Sequence, residues 1–137
     1  MITEDIIETY NSMKIHRDAS ALFLTLDSAN QNLILLDKAD INTSYQDIIA
    51  QAQLPKDDIR FLIINFVYET DEKPPRKIDK LLLIHWIPIT APMRRRFAVV
   101  NSKNELIMAC TGIQKDFIIS DFSELDYDVI RKICLAA

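Results

Sequence analysis

The fold is decided by one stretch of the sequence, DKLLLIHWIPITAPMRRRFAVVNSKNEL, which is Asp79–Leu106. It begins with the apolar run Leu81–Ile89, which is too short to cross a bilayer and is typical of a buried β-strand. Pro92 then suits the first position of a helix, where its missing N–H has no partner to lose. We predict a helix over Met93–Thr111 that ends with Gly112 as its C-cap. Its buried face is expected to contain Val99, Ser102, Leu106, Ala109, Cys110 and Ile113.

The rest of the chain alternates between helical and extended patterns. The predicted helices are Thr3–Ile15, capped by Thr3; one within Thr43–Pro55, capped by Ser or Thr; and a last one from a cap at Ser123 or Asp126 to about Cys134. The other predicted strands are Ala19–Asp27, Asn32–Lys38, Ile59–Thr70 and Phe117–Ser120.

This order of elements predicts a mixed α/β fold. The strand Ile59–Thr70 is apolar on both faces, so it should be central in the sheet. The charged stretch 71–80 should be the tip of a long hairpin between that strand and Leu81–Ile89. Because helices and strands alternate throughout, we expect a mixed sheet covered by helices on both faces, in a single domain over residues 1–137.

Composition excludes several classes of function. The chain has 16 Lys and Arg against 20 Asp and Glu, so its average field repels nucleic acid and anionic membranes. Its one glycine, Gly112, excludes a P-loop and a G-x-G-x-x-G turn. No secretory signal pattern is visible, and Cys110 and Cys134 are expected to be buried apolar fillers. We therefore expect a cytoplasmic monomer without cofactor, metal or membrane span.

No catalytic motif is present in the sequence. His85 lies inside an apolar strand, where it could be a buried general base or a hydrogen-bonded histidine of the core or sheet face, and we favour the second interpretation. His16 follows the first helix, where a histidine suits the helix dipole. Acid pairs such as Asp57-Asp58 are typical of turns and caps. The chain is therefore interpreted as a binding module rather than an enzyme.

Three stretches carry the signature of one family. In the first, the matching residues are Lys80, Trp86, Pro88, Thr90, Ala91, Pro92, Arg94, Arg96, Ser102, Lys103 and Leu106. The others are SYQDIIAQAQLPKDDIRFLIINFVYE (Ser44–Glu69) and TGIQKDFIISDFSELDYDVI (Thr111–Ile130). Together they resemble the actin-depolymerising factor/cofilin family over nearly the whole chain. The resemblance implies the ADF-homology (gelsolin-like) fold, a mixed sheet of five or six strands between two pairs of helices.

The resemblance also implies that the long helix binds actin. Arg94–Arg96 lie in its first turn, where the helix dipole disfavours cations. Actin is strongly acidic, so a cationic helix start would steer and seat the complex. The residues implied for monomeric actin, with the ADP form preferred, are Met1, Ile2, Thr3, Arg94, Arg95, Arg96, Lys103, Asn104, Ile107 and Met108. The patch Arg94–Arg96 is also a candidate site for phosphoinositides.

Several positions depart from the family pattern. Ile89 replaces an acid, and Asn104 replaces the aspartate of a Lys-Asp pair. Ile107 and Met108 replace basic residues; this pair is either extra core or an exposed contact for actin, and we favour the contact. Thr3 is interpreted as a helix N-cap rather than as a phosphorylation site.

A second surface of the family, used on filaments, is matched less fully. Its implied residues are Lys77, Lys80, Arg131 and Lys132, and Ile78 stands where a basic residue is common. The resemblance therefore implies a protein that binds actin monomers and promotes filament depolymerisation or severing. The alternative is a glia-maturation-factor-like or coactosin-like module, acting on the branched-filament nucleation complex or on filament sides without severing.

Overall fold

The computed structural model describes residues 1–136 as a five-stranded sheet with four α-helices. The helices are α1 (Glu4–His16), α2 (Tyr45–Ala52), α3 (Met93–Ala109) and α4 (Tyr127–Leu135), and a short 3-10 helix (Phe122–Leu125) precedes α4. The strands are β1 (Ala19–Leu26), β2 (Leu33–Asp40), β3 (Arg60–Glu69), β4 (Lys77–Trp86) and β5 (Lys115–Ile119). None of the helices in this range has the length and apolarity needed to span a membrane.

The sheet has the strand order β2-β1-β3-β4-β5. Neighbouring strands are antiparallel except β4 and β5, which run parallel, so the sheet is mixed as predicted. β3 lies at its centre, which confirms the prediction made from its apolar faces. A parallel pair requires a crossover connection. α3 supplies it, and the helix therefore begins next to the end of β4.

Side chains alternate across the sheet and build two cores. Phe61 and Leu83 point to one face, where they pack with α1 and α3. Leu82 and Trp86 point to the other face, where they pack with α2 and α4. The prediction of helices on both faces is confirmed.

Both ends of α3 differ from the prediction. Pro92 is the N-cap rather than the first helical residue, because its ψ of 139° is extended. The helix ends at Ala109 and Cys110 is its C-cap. Gly112 lies further on, in the following turn, at a φ of 100° that glycine adopts without strain.

Other bounds differ by a few residues. α1 begins after Thr3 as predicted, although the Thr3 side chain makes no capping hydrogen bond. Ser44 caps α2 and Asp126 caps α4, each accepting a backbone N–H of the first turn. β2 continues to Asp40 and β5 begins at Lys115, because both ends pair with a neighbouring strand.

Candidate partner-binding surface

The start of α3 is held in place by the turn that follows β4. Trp86, the last residue of β4, donates its indole N–H to Pro55 O at 2.7 Å. The Thr90 hydroxyl donates to Lys56 O, the carbonyl of the residue after Pro55. Ala91 donates its N–H to Pro88 O at 3.0 Å. α3 therefore leaves the sheet from a point fixed by side-chain and backbone bonds.

The three arginines of the first turn of α3 have different environments. The Arg94 side chain is exposed and makes no hydrogen bond or ion pair with any of residues 1–136. Arg96 is half-buried, and its Nε has no hydrogen-bond partner within the same range. The Arg95 side chain is only 15% exposed. The predicted basic patch is thus reduced to Arg94 and part of Arg96.

Arg95 is engaged in an ion pair with Asp58. Its Nε lies 2.9 Å from Asp58 Oδ1, and Arg60 pairs with the same carboxylate at 3.1 Å. Burial acts to raise the pKa of Asp58. Hydrogen bonds from Arg95, the Ile59 N–H and Arg60, with the charge of Arg95, outweigh burial and hold that pKa below its usual range. The positive charge of Arg95 is therefore used internally, and its role as a contact for a partner stays a prediction.

Lys103 also has an internal partner. Its Nζ lies 3.1 Å from Asp116 Oδ2, and its side chain is 37% exposed. The same oxygen is 3.5 Å from Nε2 of the fully buried His85, too long for a good hydrogen bond. Neither nitrogen of His85 has a hydrogen-bond partner in residues 1–136. The prediction of a hydrogen-bonded core histidine is therefore right about burial and wrong about hydrogen bonding.

The surroundings of His85 keep it neutral. Burial lowers its pKa, the carboxylate of Asp116 acts in the opposite direction, and the charge of Lys103 lowers it further. The ring of Phe61 packs edge-on against the imidazole, with centroids 5.8 Å apart. Across residues 1–136, His, Cys, Asp and Glu side chains form no group that could hold a metal ion.

The outer face of α3 carries a row of exposed side chains, most of them apolar. This α3 row consists of Met93, Phe97, Val100, Asn104 and Met108, at helical spacings of three and four residues. Phe97 is 63% exposed and Met108 is 79% exposed. The predicted pair Ile107 and Met108 is divided, because Ile107 packs against the core while Met108 points outward. Exposed apolar surface of this extent is typical of a site that another molecule covers.

The N-terminal segment lies beside α3. The Ile2 N–H donates to the carboxylate of Glu105, and the amino group of Met1 is 3.6 Å from the same carboxylate. The Leu33 N–H donates to Met1 O at 2.9 Å. The structure thus brings the predicted residues Met1–Thr3 next to the long helix.

The four residues predicted for filaments lie where the β3–β4 hairpin meets α4. Lys80 donates to a carbonyl at the end of α4 at 3.0 Å. Arg131 donates to the last carbonyl of β3 at 2.7 Å. Lys77 and Lys132 are exposed. Lys80 and Arg131 therefore bind α4 to the sheet.

Sequence reasoning named Asn104 and Met108 but missed the other three members of the α3 row, Met93, Phe97 and Val100, and it missed the Arg95–Asp58 pair. A signal for the row was present, since Met93, Phe97 and Val100 follow a helical spacing on the face opposite the buried one. The ion pair joins residues 37 positions apart, and no local pattern indicates such a contact.

The fold is that of solved ADF and cofilin structures. Cofilin of Streptomyces griseoflavus has a TM-score of 0.83 with this chain at 26% identity, covering 96% of this chain and 94% of the other. Actin depolymerization factor 2 of Plasmodium berghei has a TM-score of 0.84 at 20% identity, with 99% and 96% coverage. The mixed sheet and its crossover helix thus define a protein of the ADF/cofilin fold.

Comparison of the sequence with known families identifies the family. A family model described as cofilin/tropomyosin-type actin-binding protein matches residues 1–134. Cofilin of Yarrowia lipolytica is 25% identical over 129 residues, covering 94% of this chain and 82% of that protein. Actophorin of Acanthamoeba castellanii is 22% identical over 131 residues, covering 96% and 91%. The chain belongs to the cofilin/ADF family, whose members are actin-binding proteins and not enzymes.

Proposed function

We propose that this protein binds monomeric actin, with a preference for the ADP form, and promotes filament depolymerisation and severing in the cytoplasm. The observation that carries the proposal is the α3 row, an exposed and mainly apolar face on the long helix of a cofilin-family chain. Covering this row with a partner would remove apolar surface from water, which is favourable.

The proposed monomer-binding surface combines the α3 row with Arg94 and the N-terminal segment Met1–Thr3. Arg96 and Lys103 lie at its half-buried margin, and Arg95 is left out because it is paired internally. Phosphoinositide binding has less support, because Arg94 alone of the three arginines is exposed. The surface is therefore expected to bind mainly through apolar contact.

Monomer binding is tested with fluorescently labelled ADP-actin and ATP-actin under conditions that prevent polymerisation. We expect a Kd for ADP-actin of about 1 µM or tighter, which corresponds to about −8 kcal/mol. The Kd for ATP-actin should be higher. Absence of binding to either form below the high micromolar range would contradict the proposal.

Filament disassembly is tested by co-sedimentation and by imaging single filaments with the pure protein. Lys77 and Lys132 are free to contact a filament, whereas Lys80 and Arg131 bind α4 and β3, so we expect filament binding to be weaker than monomer binding. Filaments should shorten and break. Decoration of filament sides without breaks would favour the coactosin-like alternative, and loss of branches alone would favour the glia-maturation-factor-like one.

A further inference from the structure

The turn between β1 and β2, residues 27–32, is held in one shape by Asp27. Its Oδ1 accepts the backbone N–H groups of Gln31 and Asn32 at 2.9 and 3.2 Å, and its Oδ2 accepts the side-chain amide of Asn32 at 2.9 Å. Asn30 adopts a φ of 58°, in the left-handed region that asparagine tolerates. These hydrogen bonds hold the turn in one conformation, so a segment that binds to the turn is held in place as well.

Arg95 joins this turn to α3. Its guanidinium donates to six acceptor atoms in other segments: Thr25 Oγ1 at 3.2 Å, Leu26 O at 2.9 Å, Asp27 O at 2.7 Å, Asn30 Oδ1 at 3.1 Å, and Asp58 Oδ1 and Oδ2 at 2.9 and 3.3 Å. A planar guanidinium has five N–H donors in a fixed fork, against three on a lysine ammonium, so it can satisfy more fixed acceptors at once. The first turn of α3 is thus fixed to both the β1–β2 turn and the segment before β3.

The same turn also holds the N-terminal segment. The Leu33 N–H donates to Met1 O at 2.9 Å, and the Met1 amino group donates to Gln31 O. The β1–β2 turn therefore lies between the two parts of the proposed monomer-binding surface. It contacts α3 through Arg95 and the N-terminal segment through Gln31, and Leu33, the first residue of β2, adds a second bond to that segment.

We propose that Arg95 is a positioning residue, which holds α3 and the β1–β2 turn in one arrangement so that the α3 row and Met1–Thr3 meet actin together. Its functional consequence rests on the proposed binding of actin. Because the side chain is only 15% exposed, it acts through its neighbours rather than by contact with the partner. Its loss would break the link between the first turn of α3 and the β1–β2 turn, and the N-terminal segment would then be joined to α3 only through Glu105.

The test replaces Arg95 by Met, which keeps a long side chain and removes its donors. We expect the Kd for ADP-actin monomers to rise about tenfold, equivalent to about 1.4 kcal/mol. We also expect amide hydrogen exchange at Leu33 to accelerate about tenfold, while exchange in the central strand β3 stays unchanged. A residue that only stabilised the whole fold would accelerate exchange in β3 as well. Arg95→Lys, which keeps the charge and loses the planar fork, should give intermediate values.

Two control variants separate this inference from the proposed function. Arg76→Met removes an exposed arginine paired with Glu72 in the β3–β4 hairpin. It should change neither the Kd for ADP-actin monomers nor the amide exchange at Leu33. Phe97→Ala should weaken actin binding without changing exchange at Leu33.

The outcomes show separately whether Arg95 is a positioning residue and whether the protein binds actin. If Phe97→Ala weakens binding and Arg95→Met changes neither the Kd nor the exchange at Leu33, Arg95 is not a positioning residue and the proposed function stands. If the unmodified protein does not bind actin, the proposed function fails, and exchange at Leu33 alone decides whether Arg95 couples the two segments. Should Arg95→Met fail to fold, Asp58→Asn carries the same two measurements.

Discussion

His85 makes the stability of this protein depend on pH through a single side chain. It is fully buried beside Asp116 and has no hydrogen-bond partner in residues 1–136. Burial lowers its pKa below the ordinary value of 6.5, so the unfolded chain takes up this proton at a higher pH than the folded one does. The contribution of His85 to the free energy of unfolding should therefore be level above that value and fall as the pH falls below it, by at most about 1.4 kcal/mol per pH unit.

Replacing His85 by Phe should remove both the proton and the unsatisfied polar group. We expect the free energy of unfolding to rise by about 1 kcal/mol at neutral pH and its decrease between about pH 7 and about pH 5 to become smaller. Urea unfolding across this range measures both effects, with His16→Ala as the exposed control. Asp58 does not interfere, because a lowered carboxyl pKa contributes stability that is lost only as the pH falls below the ordinary value of 3.8. An unchanged pH dependence in His85→Phe would show that another group is responsible.

α3 carries two apolar faces that perform different tasks. Val99 and Leu106 are buried and bind the helix to the sheet, whereas the α3 row faces outward. Because the two sets lie on opposite sides, removal of an exposed member should affect binding and leave the fold intact. A large aromatic side chain at the centre of such a face is the type of residue that dominates the energy of an interface.

Phe97→Ala is therefore expected to weaken binding of ADP-actin monomers by about tenfold or more and to change Tm by less than about 2 °C. Ile15→Ala is the matched control, since Ile15 is a helical residue that is 68% exposed, against 63% for Phe97. Equal effects of the two variants on the Kd would exclude the α3 row as the contact. Isothermal titration and thermal unfolding provide the two measurements.

For the molecule as a whole, the fold could be predicted from sequence because its elements are marked locally. The apolar run Leu81–Ile89 and the proline at the start of α3 define the strand and the crossover helix without long-range information. Local patterns could not predict which charged side chains form ion pairs inside the protein. Arg95 and Lys103 were expected to face a partner, yet each has a carboxylate supplied by a different segment, Asp58 and Asp116. Spacing along a helix shows which side chains share a face, but it does not show which residues from distant segments contact that face in the fold.

The balance of charges over the molecule leads to a last prediction, on salt. The net charge is −4, and Arg94 is the one exposed arginine of its turn, so long-range attraction to an acidic partner such as actin is weak. Apolar burial along the α3 row is not screened by ions. We therefore expect the Kd for ADP-actin monomers to change by less than about threefold when salt is raised from about 50 to about 200 mM. Repeating the titration with Arg94→Gln isolates the contribution of that cation, which should account for most of any dependence. A tenfold loss of affinity would instead mean that Arg96 and Lys103 leave their half-buried positions and carry the contact by charge.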